Sequence, residues 1–332
     1  MVSDRKNLRF KTENFRELGV LLFIILLSVL IQFRNPTFLT FSNIETLLIN
    51  ASILSILAVG MMMVLIVRGI DLSIGSTIAF SGMISAMTVA SYPHIHPLIS
   101  ILQGTLVGSG VGFLIGLLVA KFKVLPIIAT LGMMNVVRGF TFLVSKGRWI
   151  SAYQMSIPFK EIATGRILGM NTLVVIAVVI YSAFYYFINH TRTGRQIYAV
   201  GSNPDAAEVS GIPKIRIIWM VYILMGALAG LAGVLWVSRF ASAQGDTAVG
   251  YEMNVIAACV LGGISISGGS GKVSGLILGA VLFGILNNAL PLINVSPFWQ
   301  QGIQGVVILS AVLINVMVKR TNERQALRRR II

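Results

Sequence analysis

A chain of 332 residues with 56% hydrophobic and 11% charged residues is not an ordinary soluble domain, in which about a quarter of the residues carry charge. The formal net charge of +15 does not mark a nucleic-acid binder, because Lys and Arg fall in short segments between long apolar runs. One cysteine, Cys259, excludes a disulfide framework within the chain.

Ten apolar spans are legible, at about 18–33, 47–67, 73–90, 98–120, 125–144, 172–188, 217–237, 253–264, 274–290 and 298–318. They predict an all-α polytopic membrane protein of about ten transmembrane helices. The domain order is a tail at 1–17, a membrane domain at 18–318 and a basic tail at 319–332. Basic residues precede the first span. However, Ile31-Gln32-Phe33-Arg34-Asn35-Pro36 offers no small-x-small cleavage pattern, so the span is retained. Several spans fall short of the roughly 20 residues that a simple crossing requires. The third begins after Arg68-Gly69-Ile70-Asp71 and the eighth ends in Gly262-Gly263, so both read as broken or re-entrant.

Glycine recurs at every fourth residue in Gly104, Gly108, Gly112 and Gly116, and again in Gly226 and Gly230 and in Gly275 and Gly279. Such ridges let helix backbones approach closely in lipid. With both termini inside, nineteen Lys and Arg lie in inner segments, among them Arg68, Lys121, Arg192, Lys214 and Lys272. Six lie outside: Arg34, Lys146, Arg148, Lys160, Arg166 and Arg239. Arg138 falls within a span. This bias places both termini and the segment 191–216 in the cytoplasm. Arg328, Arg329 and Arg330 serve either as a retention tail or as a contact for anionic lipid.

The polar stretch Thr191–Pro213 contains a complete short helix. Asn203 is its N-cap and Pro204 its first residue. Asp205 suits the positive helix end, Ala206 and Ala207 favour helix, and Glu208 completes the turn. Gly211 takes the left-handed closing position, and Pro213 prevents continuation. A helix of about seven residues does not persist alone in water, so it is either an ordinary loop helix or one held by a partner.

Gly69–Ser76 (GIDLSIGS) and Gly263–Ser270 (GISISGGS) match in part, as an internal repeat or by chance. Asp71 is the acid nearest a membrane core, read as the cap of the third span, as a pathway residue, or as both. Ser73 and Ser265, in the same two pieces, join it as pathway candidates. Arg138 joins the pathway candidates, with a carbonyl or an acid expected as its partner ahead of a solute. The outer loop Ser145–Asn171, with Trp149 and Tyr153, reads as an interfacial anchor or a docking surface.

Of His94, His96 and His190, the pair His94-x-His96 is a weak metal signal, with no Cys, Asp or Glu beside it. There is no H-E-x-x-H and no G-x-S-x-G. Gly271-Lys272 fails as a phosphate loop, because Val273 stands where Ser or Thr is required.

The pattern T-x-x-G-R…A-x-G-x-N-x-x-A-A-x-x-x-G-I, from Thr191 through Gly194 and Arg195 to Gly211, resembles the coupling-helix loop of ABC importer permeases of the ribose and autoinducer-2 class. GIDLSIGS, Ile127–Gly132 (IIATLG), Arg138-Gly139 and Ala257–Gly271 (AACVLGGISISGGSG) extend the resemblance. Ser145–Ser156, Leu235–Ala241 and Asn287–Gln300 are similar to permeases for rhamnose or autoinducer-2. The resemblance implies a bacterial inner-membrane permease subunit, not an enzyme, for a monosaccharide or sugar-like solute. Its partners would be a second permease chain, identical or not, a cytoplasmic ABC ATPase and an extracytoplasmic sugar-binding protein, with no nucleic acid. This chain would bind no cofactor, and ATP-Mg would sit on the ATPase. The alternative, an ion-coupled sugar carrier, would need more ionisable groups in the spans than Asp71 and Arg138.

Overall fold

The computed structural model describes residues 2–296 and positions 299, 300, 302, 303, 305, 306, 309, 310 and 313, with side chains from Glu17 onward. The basic tail lies outside the described residues, and the expected tenth span lies largely outside them. The helices are α1 Val2–Arg34, α2 Phe41–Ile66, α3 Ile74–Ser91, α4 Pro97–Gly116, α5 Pro126–Ser145, α6 Ile157–Thr164, α7 Thr172–His190, α8 Arg192–Ser202, α9 Pro204–Val209, α10 Lys214–Phe240, α11 Tyr251–Leu261 and α12 Val273–Leu292. Among the described residues, eight helices are long and apolar enough to cross a membrane, and α11 is a shorter apolar helix. The chain is a multi-pass, all-α membrane protein.

Local chemistry sets the helix starts. Pro97 and Pro126 stand in the first turns of α4 and α5, where the missing N–H costs nothing. Asn171 caps α7 by accepting from the Leu173 N–H at 2.9 Å. A five-residue π-helical turn, Leu117–Lys121, prolongs α4.

α2 is the axis of the bundle. From Ala51 to Ile66 nearly every side chain is buried, against α7, α10, α11 and α12. α10 packs along α4 through the predicted glycine ridges. Gly104, Gly108 and Gly112 face Gly226, Gly230 and the Tyr222 carbonyl, with no room for a Cβ on either side. Gly275 and Gly279 meet Gly262 and the Ala258 carbonyl in the same manner. These ridges therefore serve packing within the chain, and Gly116 closes its row against Trp219.

α10, at 27 residues, spans about 40 Å at 1.5 Å per residue. Tyr222 lies eight residues along it, about 12 Å from its start, and its hydroxyl meets the Ile70 carbonyl at 3.4 Å. The α2–α3 connection thus reaches well into the layer that α10 crosses, and α3 begins there. From the opposite end the segment 241–250 folds inward, bringing the Ala248 carbonyl and the Glu252 carboxylate against Gly75. α11 has 11 residues, or about 16 Å, too short for a crossing. The broken character expected of spans three and eight is therefore present, with the irregular backbone covered by protein.

The sequence reading took Ser145–Asn171 as a loop. It contains instead a 3₁₀ turn at Ala152–Gln154 with a capping box, α6, and a hairpin of β1 (Arg166–Ile167) and β2 (Met170–Asn171). Ser238 at the end of α10 anchors it. Its hydroxyl accepts from the Ala163 N–H at 2.9 Å and donates to the Phe159 carbonyl at 2.8 Å.

Candidate coupling site

The polar stretch folds as two helices, α8 and α9. Thr191 starts the first, its Oγ1 accepting from the Gly194 N–H at 3.0 Å. Gly194 is pressed against the carbonyls of Phe187 and Ile188, where no side chain fits. Gly194, Ile197, Val200 and Gly201 form the buried face of α8, and Arg192 and Arg195 are exposed. The sequence reading took this segment as loop and missed the helix; the 3, 3 and 1 spacing of that face was its only signal.

α9 is six residues long, one shorter than expected. Asn203 Oδ1 accepts from the N–H groups of Asp205 (3.2 Å) and Ala206 (3.1 Å), and Pro204 opens the helix. Gly211, at φ +76°, closes it: its N–H donates to Glu208 O, and the next N–H, of Ile212, donates to Ala207 O. Ala207 is the buried residue, while Asp205, Ala206, Glu208 and Val209 are exposed. The Val209 side chain, at 92% exposure, is fully presented. Lys214 Nζ lies 3.8 Å from Asp205 and 3.5 Å from Glu208; pairs this exposed add little stability. α9 is thus held by its two ends and one alanine, with its charged and apolar face turned outward.

The α8–α9 junction sits on two other connections. Arg68, just past α2, donates through Nε to the Gly201 carbonyl and through Nη2 to the Ser202 carbonyl, both at 2.7 Å. The Ile66 carbonyl accepts from the Gly269 N–H at 2.9 Å. Tyr198 Oη donates to the Gly271 carbonyl at 2.8 Å. Gly201, Gly268 and Gly269 make the close approach possible: a Cβ on Gly201 would collide with the Ile66 carbonyl, and one on Gly268 with the Arg68 side chain. Nearby, Glu17 of α1 accepts from Ser274 Oγ at 3.0 Å and lies 3.8 Å from Lys272. The connections α2–α3, α8–α9 and α11–α12 therefore share one end of the bundle, as the alternation of charge required.

The two pieces read as a repeat do lie together, but not in the register of their sequence match. Arg68 and Gly263 have φ of 66° and 91°, and each closes its helix with the same pair of hydrogen bonds: its own N–H donates three residues back, and the next N–H, of Gly69 or Ile264, donates five back. Sequence matching had set Gly69 opposite Gly263, one residue out.

Asp71 is buried, and its Oδ1 accepts from Ser73 N (2.8 Å) and Ser73 Oγ (2.6 Å). The expectation that Asp71 itself caps α3 is corrected. Ser73 is the cap residue and makes no side-chain cap bond, and its hydroxyl donates to Asp71. Asp71 fixes the turn before the helix. Ser265 is half-buried in the α11–α12 connection, its N–H on the Ser270 carbonyl at 3.0 Å. Arg138 stands apart from this end. Its guanidinium donates to the carbonyls of Gly245 and Thr247, both at 2.8 Å, and so holds the infolded segment. Arg68 and Tyr198 were given no role from sequence, and Gly201 entered only as a glycine of the A-x-G-x-N pattern.

A family model described as branched-chain amino acid transport system / permease component matches residues 43–312. The ribose import permease protein of Escherichia coli K12 is 39% identical over 297 residues, covering 89% of this chain and 92% of its own length. The ribose import permease of Bacillus subtilis is 38% identical, covering 90% of this chain and 92% of its own. The L-arabinose ABC transporter permease protein of Azospirillum brasilense is 34% identical, covering 93% and 90%. No solved structure matches. Membership of such a family makes the chain a transport component rather than an enzyme, with an ATPase and a binding protein implied as partners. Matched over most of its length by the family model and by full-length relatives, the chain belongs to the permease family of ABC-type sugar importers.

Proposed function

We propose that the chain is the membrane subunit of an ATP-driven importer for a monosaccharide or sugar-like solute, and that α8–α9 is the face on which a cytoplasmic ABC ATPase docks. One observation carries the second part. α9 is capped at both ends, buries one alanine, and presents Asp205, Glu208 and Val209 outward while its base is bonded to two other connections. A helix this short is kept only by such bracing, and the bracing turns it into a lever rather than a flexible loop.

In this reading ATP-Mg is bound and hydrolysed on the ATPase, and no cofactor sits on this chain. A sugar-binding protein docks at the opposite end, a second permease chain completes the pathway, and both termini lie in the cytoplasm at a bacterial inner membrane. The ribose and arabinose permeases among the relatives support a pentose-like solute; the rhamnose- and autoinducer-2-like pieces keep those two solutes in the same trial. Asp71, Ser73 and Ser265 are the proposed pathway-side residues, and Arg138 is a bracket. An ion-coupled carrier is disfavoured by Asp71, whose Oδ1 is already taken up by Ser73. The test is purification in nanodiscs from cells expressing the neighbouring genes, with mass spectrometry of what accompanies the chain. An ABC ATPase at fixed stoichiometry is expected. A chain recovered without one contradicts the reading.

A further inference from the structure

We propose that Arg68 is a positioning residue that ties the α8–α9 pair to the intramembrane start of α3, so that a displacement of the pair moves the Asp71–Ser73 turn. The proposal rests on the reading of α8–α9 as the ATPase-facing pair and deepens it.

Three observations carry it. First, the guanidinium spans two successive carbonyls, Gly201 and Ser202, at 2.7 Å each. These lie at the C-terminal, electronegative end of α8 and adjoin Asn203, the cap of α9. A planar two-pronged donor fixes orientation as well as distance, which a single ammonium does not. Second, the backbone at Arg68 is left-handed, at φ 66°. At the same end, the closures of α9 and α11 use Gly211 and Gly263 for this conformation, as chain geometry favours. Arg occupies this position as Lys146 and Ala241 do at the ends of α5 and α10, and unlike them its side chain carries two bonds to the end of α8. Third, Arg68 is joined to the pathway turn by a short, fully braced piece of chain. Its N–H and that of Gly69 close on Leu65 and Val64, Ile70 O meets Tyr222 Oη, and Asp71 binds Ser73. Little slack remains between the guanidinium and the first turn of α3.

The link is distinct from the other bonds of the junction. Tyr198 to Gly271 and Gly269 to Ile66 join the pair and α2 to the α11–α12 connection. Only the Arg68 bonds, among those of the junction recorded above, run from the α8–α9 hinge directly into the segment that carries Asp71.

The experiment is hydrogen–deuterium exchange on the permease–ATPase complex in nanodiscs, with and without a non-hydrolysable ATP analogue and Mg²⁺, reading residues 203–211 and 66–76. Wild type is expected to change in both segments. Arg68→Gly relieves the left-handed backbone and removes both bonds. It should keep the response at 203–211, while the nucleotide-dependent difference at 66–76 falls about tenfold, within the usual range of a coupling between sites. Arg68→Met, which keeps the stem against Gly268 but donates nothing, should behave likewise, and Arg68→Lys should recover part of the response. Tyr198→Phe, which removes the Gly271 bond and keeps both Arg68 bonds, should lower it less than Arg68→Gly does. A wild-type difference at 66–76 in both Arg68→Gly and Arg68→Met overturns the proposal. A wild-type complex that is silent at 203–211, or that contains no ATPase, overturns the underlying reading instead.

Discussion

Gly108 and Gly110 stand two residues apart on α4 and differ in one respect. A Cβ on Gly108 would lie 2.6 Å from both the Cα and the N of Gly230, and closer still to the Gly226 carbonyl; around Gly110 nothing lies within 4 Å. Carbon contacts are comfortable at about 3.5 Å, so Gly108→Ala must separate α4 and α10 by about 1 Å. The partners are backbone atoms and cannot swing aside. Overpacking of this kind costs about 1–3 kcal/mol, against roughly 1 kcal/mol gained when alanine replaces glycine in a helix. The seam also runs through Gly104, Gly112, Gly226 and Gly230, all of which lose contact together, so the cost belongs at the upper end. Gly110→Ala takes the gain without the cost. The two variants should therefore differ by about 2–3 kcal/mol, or roughly 30- to 150-fold in the unfolding equilibrium. Steric-trap or detergent-titration unfolding of the purified chain measures this. Equal stability of the two variants would refute the seam as the determinant of the α4–α10 contact.

Asp205→Lys and Glu208→Lys should insert normally, because both side chains are exposed beside Lys214. Each should reduce ATPase recovery in pull-down at least about tenfold, the scale of a single interface hot spot; wild-type recovery would remove α9 from the docking face. Asp71→Ala deletes the acceptor of two Ser73 hydrogen bonds and should cost about 1–3 kcal/mol. Asp71→Asn should restore most of it. Hydrogen exchange at 72–76 reports the difference, and equal exchange in the two variants would show that the turn does not depend on the carboxylate.

What the sequence made legible was local. The Asn203–Pro204–Asp205 start and the Gly211 end of α9 are capping chemistry contained within nine residues, and the glycine ridges are simple periodicities. Their partners were not legible: the spacing of Gly104 and Gly108 does not name Gly226 and Gly230 across more than a hundred residues. α8 was hidden because its buried face includes two glycines and its charged residues suggested a loop. Arg68 registered only as an inner positive charge, since its bonds lie 133 and 134 residues away. Asp71 was assigned to the correct turn but to the wrong position in it, because α3 begins at Ile74 and the cap position falls on Ser73, two residues on. The repeat was found in the right loops and set one residue out of register, since Arg at a glycine position breaks the identity that alignment follows.

In the proposed function α9 touches an ATPase. The single native cysteine, Cys259, is buried, so Val209→Cys, at a position 92% exposed on α9, is a unique labelling site. A benzophenone maleimide placed there, illuminated in membranes from cells expressing the neighbouring genes, should yield one major adduct, with an ABC ATPase. The same label at Tyr153→Cys, 88% exposed at the opposite end, should not. An ATPase adduct from both sites, or from neither, would contradict the account.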